Sequence, residues 1–387
     1  AGVIGSPGIF GNNSFYNSPG WNFIFGSQDS EIRRVAAENG WLVKNDYLNN
    51  PFIQSRSNNF QFRSTIQPLN SFRIQLDAKR IVSENFQETF RFDSQKDTYV
   101  SLTPSRGGNF SLSFLAIKTA FVKDDNLNNS PTFERFAKNR LIIRDRLNSL
   151  NTQGEYGLNS QDVLIPAFIS AYSDSDPSTF SLKPFPKIPI PNWRIDFSGL
   201  SKIKSLIEIF STITISHGYQ SIYSVGEFSN SLLYIDNLDF NNSIMNYPLA
   251  SQQTENGFVP FYIINQVRIT ERFSPLIGIN VRTKNNLNAR IDYKKDRNIM
   301  LNLSNAQVSE MINSDFSIDF GYSKEKLRLP LKYMGNTIIL DNEIEFRLNF
   351  VIRNTKAVQR KIDKESTVTN GNYNFQLRPN MNYTVNN

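Results

Sequence analysis

The chain has 387 residues, 39% of them hydrophobic and 20% charged, with a net charge of +7 and no cysteine. This composition excludes a disordered chain, a disulfide scaffold, thiolate catalysis and cysteine-based metal sites. Mean hydropathy is −0.40 and no run of about 18 apolar residues occurs, which excludes a transmembrane helix but not alternating barrel strands.

In chain order, residues 1–57 read as a loop-rich segment with one short helix. Gly, Asn, Ser and Pro alternate with Phe10, Phe15, Trp21, Phe23 and Phe25. The chain opens without Met, a basic start or a long apolar run, so the expectation is a mature chain or an internal piece. Ser30 to Gly40 predicts the helix, capped by Ser30 and ended by Gly40.

Residues 58–123 read as strands. Asn59–Ile66 alternates, and Pro68-Leu69-Asn70 predicts a tight turn into Ser71–Ala78, where apolar and charged residues alternate strictly. Asn85–Asp93 and Thr98–Pro104 are further candidates. Arg106-Gly107-Gly108 is read as a turn before Phe110, Leu112 and Phe114.

Residues 124–192 read as an inserted loop domain, partly helical. Pro131 opens a helix with a period near 3.6 through Leu147. Ser160–Tyr172 is a second helix, interrupted in principle by Pro166. The prolines of 183–191 exclude a central strand there.

Strands resume over 193–387, at Trp193, over Ile209–Val225, and through the series Ile277–Val281, Ala289–Tyr293, Ile299–Leu303, Phe316–Tyr322, Ile344–Phe350 and Tyr373–Leu377. Lys284-Asn285-Asn286 and Lys295-Asp296-Arg297 are read as turns between them. The fold class expected is all-β: antiparallel transmembrane β-barrel strands with an inserted, partly helical loop domain. Long loops of such barrels lie outside the cell.

On that reading Phe72, Ile74, Leu76, Ile291, Phe346 and Leu348 face lipid. Gln61, Arg63, Arg73, Gln75, Asp77, Lys79, Arg282, Arg290, Asp292 and Arg347 line an aqueous lumen. Two other readings share the alternation: a small-solute porin or receptor barrel, and a soluble surface β-protein such as an adhesin or glycan binder.

No catalytic, cofactor or metal site is expected. The sole histidine, His217, has Ser216 beside it, which on a strand lies on the opposite face. The acidic pairs Asp124-Asp125, Asp174/Asp176 and Glu343/Glu345 lack the ligand set of a calcium motif. Arg135, Lys138, Arg140, Arg144 and Arg146 read as a solvated helix face. Lys and Arg are dispersed among Asp and Glu without a nucleic-acid motif.

Several stretches resemble one family. They are Gly20–Asp29 (GWNFIFGSQD), Ala36–Leu42, Leu48–Phe52, Ile215–Tyr223 (ISHGYQSIY) and Thr270–Leu276. They are similar to the C-terminal region of the SprA/Sov family, the giant outer-membrane translocon of the Bacteroidetes type IX secretion system. The resemblance implies part of a very large barrel that exports folded proteins passively through a wide aqueous pore. It implies as partners the remaining segments of that barrel, a PorV-like shuttle barrel, a periplasmic plug protein and outer-membrane lipid. It further implies cargo bearing a C-terminal sorting domain, including adhesins in species with gliding motility. The chain is much shorter than the family and ends without an aromatic-terminated strand, so a fragment is expected.

Overall fold

In the computed structural model, residues 25–26, 31–151, 154–231, 252–254, 257–333, 336–340, 342–362 and 364–383 are described. Ser30, the expected helix cap, and residues 1–24 lie outside them. The chain is mostly antiparallel β-sheet with a few helices.

The sheet is built from long strands: β1 (Phe52–Leu69), β2 (Phe72–Asp93), β3 (Thr98–Ser113), β4 (Asn192–Phe197) and β5 (Phe210–Asn230). Two short strands, β6 (Gln252–Thr254) and β7 (Gly257–Val259), pair only with each other, and β8 (Tyr262–Ile264) pairs with β5. The sheet then continues through β9 (Gln266–Thr283), β10 (Leu287–Asn302) and β11 (Gln307–Lys324). The separate hairpin β12 (Leu327–Tyr333) and β13 (Asn336–Leu340) precedes β14 (Ile344–Lys361) and β15 (Thr367–Tyr383). The main order is β1-β2-β3-β5-β9-β10-β11-β14-β15. Among the described residues β1 and β15 do not pair with each other.

One position in this order is shared. β3 pairs with the second half of β2, and β4 pairs with its first half, Phe72–Asp77. Both then pair with β5. Together β3 and β4 make one column of the sheet, interrupted at mid-height. Residues 114–191 leave at Ser113 and return at Asn192, so the insert begins before the expected 124 and ends at 191. It carries α2 (Pro131–Leu150) and α3 (Gln161–Tyr172). Pro166 sits inside α3, which is buried along its length from Val163. A further helix, α1 (Ile32–Glu38), precedes β1, and α4 (Lys204–Ile207) follows β4.

A broken column leaves ladder groups that must find other partners, because buried backbone N–H groups are costly when unpaired. Two side chains supply them. The Lys79 amide donates to Ser113 Oγ (2.9 Å), and the Ser221 amide donates to Asn192 Oδ1 (2.7 Å). Asn192 Nδ2 then donates to Ser113 Oγ (3.2 Å), joining the two ends. The backbone adds Phe114 N to Ser221 O and Ile190 N to Ser113 O, each 2.9 Å.

Two expected turns are strand instead. Arg106, Gly107 and Gly108 lie within β3. A Cβ on Gly108 would stand 2.0 Å from Ser83 O, and one on Gly107 would stand 2.8 Å from Phe228 O. Glycine here serves close strand approach, not a turn. Lys295, Asp296 and Arg297 lie within β10, and the chain turns only after Asn302. The tight turn expected at Pro68-Leu69-Asn70 falls at Asn70 and Ser71, after β1 ends at Leu69.

Replacing Asn192 by Ala orphans the Ser221 amide and is expected to cost about 1–3 kcal/mol. Limited proteolysis of folded protein should then cut at the two ends of the insert first. Unchanged protease resistance would show that the seam does not depend on this side chain.

Candidate functional site

The register fixes which residues share a face. Phe72, Phe197, Ile215, Ile279, Ile291, Ile318, Phe350 and Leu377 stand opposite one another in turn across eight strands. One residue along each strand, the row becomes Arg73, Asp196, Ser216, Gly278, Asp292, Ser317, Val351 and Gln376. Side chains alternate across a strand, so the sheet has an apolar and a polar face.

The six residues expected to face lipid share the apolar face of the sheet. Ile74, Leu76, Phe346 and Leu348 fall in rows adjacent to Phe72 and Phe350. Much of this face is bare: Ile277, Ile291, Phe320, Phe346, Leu348, Phe375 and Leu377 are all exposed. His217 also belongs to it, beside Trp193 and Phe273, with Nδ1 2.7 Å from Leu276 O. Ser216 lies on the other face, so no nucleophile–base pair forms.

The ten residues expected to line a lumen share the polar face, through pairs such as Gln61 opposite Lys79, Arg63 opposite Asp77 and Asn288 opposite Arg282. Arg353 grips Asp315 with two contacts of 2.9 Å. Arg290–Asp292 (2.8 Å), Arg347–Glu345 (2.7 Å), Arg194–Asp196 (3.2 Å), Arg272–Asp296 (3.3 Å) and Arg63–Asp77 (3.5 Å) follow the same pattern. Exposed pairs of this kind add little stability. Their effect is to make a hydrated face whose charge is locally balanced. Asp292 departs from expectation, since it is buried at 4% exposure. It packs where a Cβ on Gly278 would meet its Oδ1 at 2.7 Å and Ser216 Oγ at 2.6 Å, which explains the glycine. Shifts of register in β5 and β9 leave a hollow of ≈ 560 Å³ on this face, lined by Gln61, Arg63, Gln75, Asp77, Arg194 and Arg272 among others.

Beyond the bare band, the apolar face changes character. After the row of Tyr219, Phe273 and Lys295 comes one that reads Ser221, Glu271, Arg297, Ile312 and Lys356. Here the insert docks. Arg297 pairs with Glu271 at 2.9 Å and donates to Thr119 O (2.8 Å) and Thr119 Oγ1 (2.9 Å). Tyr219 donates to Glu271 Oε1 (2.8 Å) and accepts the Ala116 amide (2.9 Å). Lys295 donates to Ala120 O (2.7 Å). Arg360, with no exposed surface, pairs with Asp124 (2.8 Å) and Glu310 (3.3 Å) and donates to Asn128 O. Apolar packing surrounds this clamp: Val163, Leu164, Phe168 and Tyr172 of α3 share one core with Phe110, Tyr223, Ile269 and Ile299. Burial pushes the Tyr172 hydroxyl well up, and amide donation from Asn129 holds the Asp125 carboxyl below its usual range. Further along the same face, Arg33 of α1 pairs with buried Glu88 of β2.

Of the basic residues of α2, Arg140 and Arg146 hold the insert together, while Arg135 and Lys138 are exposed, as the solvated-face reading expects. Arg140 is buried against Asn159 (2.9 Å), Arg146 donates to Pro177 O (2.6 Å) and Phe180 O (2.8 Å), and Arg135 pairs with Asp174. Asp176 accepts from Ser178. Among the described residues no group of three or more metal-ligating side chains gathers. The clamp residues Glu271, Arg297 and Arg360 were missed in the sequence. The available signal was the period of two that runs from Ile291 through Tyr293, Lys295 and Arg297 to Ile299.

Compared with family models and with curated proteins, the chain matches none.

Replacing Arg297 by Met strands Glu271, whose side chain is 1% exposed. The expected cost is about 3–5 kcal/mol, seen as earlier thermal release of the insert. Adding Glu271→Gln should restore most of the loss. Equal destabilisation in the single and double variants would show that packing, not charge pairing, holds the insert.

Proposed function

We propose that this chain is a sector of a very large transmembrane β-barrel of a bacterial outer membrane. Its bare apolar band meets lipid and its polar face lines water. The observation that carries this reading is the continuous apolar row from Phe72 to Leu377, backed one residue along by a polar row. A soluble sheet would cover such a band, since large exposed apolar patches mark interaction surfaces. The long outer edges of β1 and β15 lack partners among the described residues. Lipid tolerates no unpaired edge, so strands from other segments of the barrel would complete it.

The particular reading is the protein-conducting translocon of type IX secretion, on the resemblance to the SprA/Sov family. The chain would act as a wall, not as an enzyme. Paired Arg and Asp residues on the polar face present water and balanced charge, a surface over which a folded cargo slides without a strong site. Nothing on this wall supplies energy, so a shuttle barrel, a plug and the cargo's sorting domain would give direction to transport.

Leu348→Arg, on the bare band, should block assembly at about 2–4 kcal/mol if the position lies near the bilayer midplane. Gln75→Arg, on the polar face, should assemble and secrete normally. The check is outer-membrane abundance of the intact protein together with export of its cargo. Equal tolerance at both positions would refute the lipid-facing assignment. Recovery of the protein in the aqueous fraction without detergent would favour the soluble surface-protein reading.

A further inference from the structure

The apolar band is not equally tall on every strand. On β15 it runs from Tyr373 through Phe375, Leu377 and Pro379 to Met381. On β10 it holds Leu287, Ala289, Ile291 and Tyr293 before Lys295 and Arg297 begin. Six residue steps make roughly 20 Å along the strand. An apolar belt needs about 25 Å of height. The neighbours β9 and β5 are short in the same way, with Ile277–Val281 and Ile213–Ile215. The band is therefore incomplete on the strands beneath the insert.

The lower rim of the insert stands where apolar surface is lacking. Lys295 and Arg297 reach the carbonyls of Ala120 and Thr119, and the next residues are Phe121 and Val122, both exposed. Phe121 packs on Phe273, ring centroids 5.2 Å apart, in the row above Tyr293. At the other end of the insert, Arg80 donates to Lys187 O and the Ile190 amide donates to Ser113 O. Ile188 between them is 79% exposed. Each apolar pair has a lysine at its side, Lys123 after Val122 and Lys187 before Ile188, and both are exposed. The adjacent acids are engaged elsewhere: Asp124 by Arg360 and Lys356, Asp125 by Asn129.

We infer that this rim is a lipid-contact surface that completes the belt, with 121–123 over β9 and β10 and 187–190 beside β2 and β3. Its lysines engage the phosphate-bearing headgroups of that leaflet. This rests on the membrane reading above. Exposed apolar side chains flanked by lysine are the composition of a membrane interface, and lysine near an anionic surface is attracted electrostatically.

The chain has no cysteine, so a substituted cysteine labels one site within it. The intact protein, reconstituted into phosphatidylcholine vesicles with or without phosphatidylglycerol, would carry an environment-sensitive fluorophore at Phe121→Cys, Ile188→Cys, Ile291→Cys or Asp315→Cys. Lipids brominated near the headgroup serve as quenchers. Labels at 121 and 188 should be quenched, more strongly with phosphatidylglycerol, and that increment should vanish in Lys123→Gln/Lys187→Gln. Label 291 should report lipid and label 315 water. If 291 reports lipid while 121 and 188 report water, the inference fails and the membrane reading stands. If 291 also reports water, the membrane reading itself fails. Quenching at 121 and 188 that ignores phosphatidylglycerol would overturn headgroup binding.

Discussion

Everything in this sheet depends on keeping one column continuous where the chain itself is not. β3 and β4 abut within a wall of hydrogen-bonded neighbours, and a gap there would leave amides of β2 and β5 without partners. Ser113 and Asn192 close it with a hydroxyl and a carboxamide standing in for missing backbone groups. Only because that joint holds do the rows on either side stay in register. A slip by one residue would exchange the apolar and charged faces of every strand beyond it.

Two kinds of charge follow from that register. On the polar face, arginines and aspartates meet across or along strands in water and contribute little energy. On the opposite face Arg297 and Arg360 are buried, and each is committed to a carbonyl or carboxylate of the docked segment. The contrast between Arg353 and Arg360 is instructive. Both lie on β14, seven residues apart in sequence and on opposite faces. One balances an exposed Asp315, and the other is fully enclosed by Asp124, Glu310 and Asn128.

Much of this was legible in the chain because a strand writes its burial at a period of two. Phe72 to Lys79 and Ile344 to Phe350 name their faces unaided. The two helices of the insert showed equally plainly, and Pro131 marked one start. Errors arose where local chemistry and long-range packing disagree. Gly107-Gly108 looks like a turn, yet the glycines are there because neighbouring strands press close. Lys295-Asp296-Arg297 looks like a hydrophilic turn, yet two of its members are anchors for the segment docked above them. The fusion of β3 and β4 into one column left no local trace, since it is defined by partners on β2 and β5.

The split column also dictates an order of events in biogenesis. The first half of β2 acquires its neighbour only when β4 emerges, after the whole of 114–191 has been made. That pairing closes a loop well over a hundred residues long, and contacts of such range form slowly. Until then the strand has a waiting partner edge along half its height, at the very stage when nascent strands are most prone to mispair. The two helices of the segment form from local contacts, but the core that seats them is shared with β5, β9 and β10, which emerge later still. Insert and wall therefore complete each other: the docked segment holds the two halves of one column end to end, and the later strands supply the floor of its core.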